Sequence, residues 1–164
     1  MSFESVKAYF ESEGLGDRVH TVEHSSATVE EAAEAIGCKP KQIAKTMSFY
    51  VEESPIIIVM AGDAKIDNKK YKAQFHKKAR MIPWEEVEAV VGHAPGGVCP
   101  FALKEDFPVY LDVSLKRFKT VYPAAGSGHS FVRLSVDELN CYAKPQAWID
   151  VCAGWYVNES GGST

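Results

Sequence analysis

With 164 residues, 46% of them hydrophobic and 24% charged, the chain has the size and mix of one soluble globular domain, and a second domain is not expected. The longest strongly apolar run, residues 56–61, is far too short to cross a bilayer, and the opening Met1-Ser2-Phe3-Glu4 lacks the basic start and apolar block of a secretory signal, so a cytoplasmic protein with no membrane partner is expected. A net charge of −4 argues against indiscriminate binding to nucleic acid, and DNA is not an expected partner.

In chain order, residues 3–13 read as a helix stopped by Gly14, and 19–23 as a strand. Thr28-Val29-Glu30-Glu31 is a capping box that opens a helix ended by Gly37. Residues 44–51 and 56–60 read as paired strands across the connection 52–55. Asp67 can cap a helix that carries much of a basic segment. A strand over 80–82 follows, then a helix with Pro83 in its first turn and Gly92 at its end. Strand-like runs come at 109–113, 120–124 and 131–134, a second capping box at Ser135-Val136-Asp137-Glu138 opens a short helix, and 147–151 can return as a last strand. Short strands interleaved irregularly with helices indicate an α+β domain with a mixed sheet. The domain is expected to span residues 1–157, with 158–164 a flexible, Gly/Ser-rich tail.

Charge and cysteine placement narrow the chemistry. Between Lys65 and Arg80 seven Lys/Arg face one acid, a local charge of +6 that leaves −10 for the rest. Such a patch is either a solvated helix face or a surface that holds RNA backbone, with Lys69, Lys70, Lys72, Lys77 and Lys78 as its contacts. Cysteines 38, 99, 141 and 152 form no CxxC pair and no Cys/His ligand spacing, so free thiols are expected and neither a metal nor a cofactor is called for. Asp63 and Asp67 serve equally well as turn and cap residues.

The segment Gly92-His93-Ala94-Pro95-Gly96-Gly97-Val98-Cys99-Pro100-Phe101 is the most distinctive. Two adjacent glycines between prolines form either a tight turn or a stiffened loop that lets a ligand reach main-chain N–H groups. Upstream, Ile43-Ala44-Lys45-Thr46-Met47 sets an ammonium among apolar side chains on a strand, where Lys45 either reaches out to water or serves a site. Downstream, Ala125-Gly126-Ser127-Gly128-His129-Ser130 joins two strand-like runs. Each histidine, His93 and His129, is either a structural hydrogen-bonder or functional, and Cys99 has no activating base beside it in sequence.

With these three motifs in this order, and with Gly96 and Pro100 at GxxxP spacing, the chain resembles the YbaK-type aminoacyl-tRNA deacylases, free-standing relatives of the editing domain of prolyl-tRNA synthetases, over roughly residues 1–155. The resemblance implies a curved sheet approaching a barrel with helices around it. It also implies hydrolysis of the ester of mischarged tRNA, foremost proline tRNA carrying a small amino acid such as alanine or cysteine. Lys45, Gly96, Gly97 and His129 would then be catalytic, and Val98, Cys99, Pro100, His93, Ser127 and Gly128 would contact the substrate. Aminoacyl-tRNA is the implied partner and prolyl-tRNA synthetase a further one. The alternative of another class is a domain of this fold that binds a tRNA end or a synthetase without cleaving anything.

Overall fold

A computed structural model describes residues 2–23 and 28–155; the expected tail lies outside the described residues. Local signals in the sequence set most of the elements. Helix α1 (Ser2–Ser12) buries Val6 and Phe10 and leads to strand β1 (Val19–Thr21). Helix α2 (Val29–Ile36) opens on the capping box, in which the Glu31 N–H donates to Thr28 Oγ1 at 3.1 Å and the Thr28 N–H to Glu31 Oε1 at 3.3 Å. A cap of this kind stabilises a helix by about 1 kcal/mol. Gly37 ends α2 in the left-handed region at φ 87°.

Strands β2 (Ile43–Val51) and β3 (Ser54–Ala61) form a hairpin eight residue pairs long. Their connection is shorter than expected: Ser54 and Pro55 already pair, and Glu52, at φ 58°, turns the chain. Strand β4 (Lys65–Ile66) follows, then α3 (Asn68–Phe75), whose cap is Asp67 Oδ1 accepting the N–H groups of Lys69 and Lys70 at 2.9 and 3.1 Å. The strand expected at 80–82 is absent. Met81 makes one isolated bridge to Phe49 while the Ile82 N–H reaches the Ser48 carbonyl, so this segment is a strap across the end of β2. Pro83 sits one position before α4 (Trp84–Val91), and Gly92 ends it at φ 98°.

The remaining elements are β5 (Val109–Asp112), β6 (Thr120–Pro123), β7 (Ser130–Val132), β8 (Leu134–Ser135), α5 (Val136–Ala143), β9 (Ala147–Ile149) and β10 (Cys152–Ala153). The single strand expected at 131–134 divides in two. Its first half pairs with β1 and its second with β6, and between them the Arg133 N–H donates to the Arg18 carbonyl. The strand expected at 147–151 likewise stops at Ile149, because the Val151 N–H turns to the buried Asp112 carboxylate.

Six strands form the main sheet in the order β8-β6-β2-β3-β5-β9. The β2–β3 and β6–β8 pairs are antiparallel; β2–β6, β3–β5 and β5–β9 are parallel. The ribbon β1–β7 continues from β6 through an Ala124–Phe131 bridge, and a second ribbon joins β4 to β10. The mixed sheet thus curls into a half-barrel flanked by five helices, the α+β architecture expected. Residues 56–61 of β3 are buried without alternation, the pattern of a strand covered on both faces.

Candidate functional site

A cleft of about 360 Å³ opens where β2 loses its neighbour. Strand β6 pairs with β2 only at Ile43 and Ala44, and the strap joins it again at Ser48 and Tyr50. The edge at residues 45–47 faces the cleft, between Val29, Ala32 and Ile36 of α2 on one side and Met81, Trp84 and Val87 on the other. Pro95, Gly96 and Val98 of the glycine loop and Gly128 and Ser130 of the β6–β7 connection close it. The walls are mostly aliphatic.

Lys45, Thr46 and Ser48 of β2 all belong to the lining of this mostly apolar space. The Lys45 ammonium lies 3.5 Å from the Gly62 carbonyl, and burial pushes its pKa below the ordinary lysine value, opposed by the negative charge of nearby Asp63. Its neighbour Thr46 buries its Oγ1 with no hydrogen-bond partner among the described residues.

The turn that aims Lys45 is held from behind. Arg117 grips Asp63 with two bonds of 3.1 and 2.6 Å and donates through Nε to the Ser114 carbonyl at 2.9 Å. Ser114 in turn accepts the Ala61 N–H at 3.1 Å, at the end of β3. Gly62 is required here, because a Cβ would strike the Pro40 carbonyl oxygen and come within 2.8 Å of Val29. Asp63 is therefore an ion-pair partner, while Asp67 is the helix cap that the sequence suggested.

The glycine loop divides into an inner and an outer side. Gly96 takes φ 94° and, with Val98, lines the cleft. Gly97 does not line it: its N–H closes a turn onto the Ala94 carbonyl at 2.9 Å, and its carbonyl accepts the Gly126 N–H at 3.1 Å. This removes Gly97 from the available donors and makes it the contact between two loops. Gly126 is squeezed from its other side by Ser2, whose Oγ donates to the Gly126 carbonyl at 2.9 Å.

Of the residues expected to touch substrate, Val98 and Gly128 line the cleft, whereas His93, Cys99, Pro100 and Ser127 do not. The physical reason is burial. His93 and Cys99 are wholly enclosed behind the loop, with His93 Nε2 2.7 Å from the Phe101 carbonyl and Cys99 Sγ 3.5 Å from the same nitrogen. Burial pushes the Cys99 thiol up to about 12, so it is not a nucleophile at neutral pH. Ser127 is occupied in its own turn, its Oγ 2.8 Å from Ser130 Oγ and accepting the His129 N–H at 3.2 Å. His129 is exposed and lies outside the lining.

His93 gives a testable stability signature. Its Nε2 donates to Phe101, its Nδ1 is buried without a partner, and burial lowers its pKa below 6.5. The unfolded chain therefore binds this proton more readily, and the contribution of neutral His93 is full above pH 6.5 and is lost as pH falls through the lowered folded value. Denaturation midpoints should fall between pH 7 and 5 with a slope of up to about 1.4 kcal/mol per pH unit from this group. A His93→Gln variant should show a flatter profile; an equal slope in both proteins would exclude His93 as the source.

Among the basic residues, Lys69, Lys72, Lys77 and Lys78 are exposed. Lys77 lies 3.6 Å from Glu52. Lys70 is held back against the fold, donating to Asp150 at 3.1 Å and to the Cys152 carbonyl at 3.0 Å. Arg117 and Trp84 carry no mark of this site in the sequence; Arg117 meets Asp63, 54 positions away, only through the fold.

Comparison with known proteins places this geometry. A family model described as "Aminoacyl-tRNA editing domain" matches residues 23–141, the span that contains all of the cleft lining but Val22. The chain belongs to this family. It is 51% identical over 156 residues to the uncharacterized protein YwhH of Bacillus subtilis (strain 168), covering 94% of this chain and 99% of that one. It is 29% identical over 119 residues to the "Putative Cys-tRNA(Pro)/Cys-tRNA(Cys) deacylase EbsC" of Enterococcus faecalis (strain ATCC 700802 / V583), covering 71% of each. Among solved structures, one titled "Crystal structure of a putative trans-editing enzyme for prolyl tRNA synthetase" superimposes with a TM-score of 0.83 at 29% identity, over 93% of this chain and 98% of that one. Among the described residues of this editing-domain protein, no helix is long and apolar enough to cross a membrane.

Proposed function

We propose that this protein is a free-standing deacylase that hydrolyses the ester between a wrongly attached amino acid and the 3′-terminal ribose of tRNA. The observation that carries the reading is the half-buried Lys45 ammonium lining a mostly apolar cleft of an editing-domain fold. A synthetase cannot strongly reject a smaller amino acid by packing alone, so a second, hydrolytic site supplies the missing discrimination.

In this mechanism the amino-acid side chain enters between α2 and β2, where Val29, Ala32, Ile36 and Ile43 leave room for a small apolar group. Alanine or cysteine on proline tRNA is the foremost substrate, in keeping with the tRNA named for EbsC. Lys45 attracts the negative charge that grows on the carbonyl oxygen or on the adjoining phosphate, and main-chain N–H groups of Gly96 and Val98 add preorganised dipoles. Attack is by water or by a neighbouring hydroxyl of the substrate, since the buried Cys99 thiol is excluded. Gly97 and His129 act around the cleft, Gly97 by fixing the loop and His129 as an exposed group at its edge. The test is a panel of radiolabelled aminoacyl-tRNAs, with loss of the ester followed in time. Turnover of alanyl- or cysteinyl-tRNA(Pro) is expected; binding without turnover of any member would establish the non-catalytic module instead.

The exposed lysines around α3 would hold the RNA backbone, and phosphate contacts add affinity without reading sequence. Replacing Lys69, Lys72 and Lys78 by alanine should raise KM for aminoacyl-tRNA and reduce the slope of log affinity against log salt by about 2 to 3, with kcat at saturation retained. Lys70 is left in place because its loss would free Asp150 and loosen β10. Unchanged KM and unchanged salt slope would make the patch a solvated face.

A further inference from the structure

Trp84 and Met81 are the large apolar side chains most exposed among the described residues, at 73% and 55%, and both belong to the cleft's rim. Neither is loosely attached. Buried Ile82 lies between them, its N–H bonded to the Ser48 carbonyl, and Pro83 fixes the chain as it enters α4. Two large apolar side chains exposed at the rim of one cleft offer a surface for a ligand to cover. The surrounding charge says what that is. Lys77, Lys78 and Arg80 lead directly into Met81, and the Arg80 guanidinium lies 4.8 Å over the Tyr50 ring. On the other side Glu85 and Glu86 open α4, with Glu86 accepting the Tyr50 hydroxyl at 3.2 Å. Glu52, 3.6 Å from Lys77, and Glu86, on the same Tyr50 ring as Arg80, offset part of this charge, while residues 77–82 themselves hold three cations and no acid. A flat aromatic ring at the mouth of a pocket, a few residues along the chain from exposed cations, suits a base on the ring with its phosphate toward the cations.

We propose that Trp84, supported by Met81, is the platform on which the terminal nucleobase of the substrate stacks, so that its ribose ester is delivered into the cleft. This rests on the deacylase reading and adds a residue that recognises the nucleoside rather than the amino acid. The base gains no sequence readout from such a platform, because every base presents a π-face.

Two arms test it. In the first, adenosine 5′-monophosphate and ribose 5-phosphate are titrated against the protein while tryptophan fluorescence is followed, with Trp84→Phe as reference for the signals of Trp148 and Trp155. Saturable quenching by the nucleotide that is absent with the sugar phosphate and absent in Trp84→Phe is expected; no quenching, or equal quenching in Trp84→Phe, overturns the platform. In the second arm, kcat/KM is measured for a short aminoacyl-RNA ending in adenosine and for the same RNA with an abasic terminal ribose, in wild type and Trp84→Ala. Loss of the base and loss of the indole should each cost about tenfold, and the double change should cost little more than either. Multiplying losses, or no loss in Trp84→Ala, would overturn the proposal while leaving the deacylase standing. If wild type hydrolyses no aminoacyl-RNA at all, the deacylase reading fails and the fluorescence arm still decides the platform.

Discussion

Replacing Lys45 by alanine should lower the rate of ester hydrolysis at saturating aminoacyl-tRNA by about 10²–10³-fold, the usual cost of losing one preorganised charge from a water-poor site. The fold should survive, because the side chain makes one long bond to the Gly62 carbonyl and its burial opposes its own charge. The pH dependence carries the sign. On the deacylase reading the ammonium serves the reaction and its pKa lies below 10.5, so the enzymatic rate should decline as pH rises through that lowered value. Lys45→Arg keeps a charge that does not titrate there and should move the alkaline limb upward. Stability moves the other way: between the lowered value and 10.5 the unfolded chain binds the proton that the folded one has released, so wild type should gain stability with rising pH relative to Lys45→Ala. Single-turnover deacylation and denaturation read the two effects separately, and near-wild-type turnover by folded Lys45→Ala would remove the residue from the mechanism.

Gly97→Val should be nearly as damaging, through the backbone rather than through charge. A Cβ on Gly97 would lie within 2.5 Å of the Gly126 carbonyl carbon and the Ser127 Cα and would strike the Ser127 nitrogen. These are main-chain atoms that cannot swing aside, and Gly126 has no room to retreat because Ser2 packs behind it. One loop must separate from the other, at a cost of about 3 kcal/mol in stability. Gly96 and Gly128, which line the cleft from the two loops, would part as well, so kcat should fall with the melting temperature. Gly96→Ala differs, because its strain comes from φ 94° and not from a neighbouring chain. Retained activity and stability in Gly97→Val would mean that the loops are not coupled.

The parts of the fold legible in the sequence were those fixed within one turn of chain: the boxes at Thr28 and Ser135, the Asp67 cap, the glycine stops at 37 and 92, and the apolar hairpin strands. Strands of two residues such as β4 and β10 escaped, because each exists only through a partner some 86 residues distant. The cleft followed the same rule. Lys45 stood out as a charge in an apolar strand and Gly96 as half of a glycine pair, and both line it. Which members of one loop face in and which face out depends on tertiary contact, and so His93, Cys99 and Gly97 carried the right sequence signature while pointing elsewhere. Arg117 was hidden for the opposite reason. A single arginine at the end of a short 3₁₀ turn announces nothing until Asp63 is brought against it.

The uncovered edge of β2 has a consequence for what the protein refuses. An open strand edge ordinarily invites another strand, and a polypeptide needs several consecutive residues of it to gain hold. Here β6 stops at Ala44 and the strap resumes at Ser48, so only residues 45–47 are left uncovered. A gap of that length is too short to template β-addition. On the deacylase reading a nascent peptide would gain no hold along this edge, and a peptidyl-tRNA should be a far poorer substrate than an aminoacyl-tRNA.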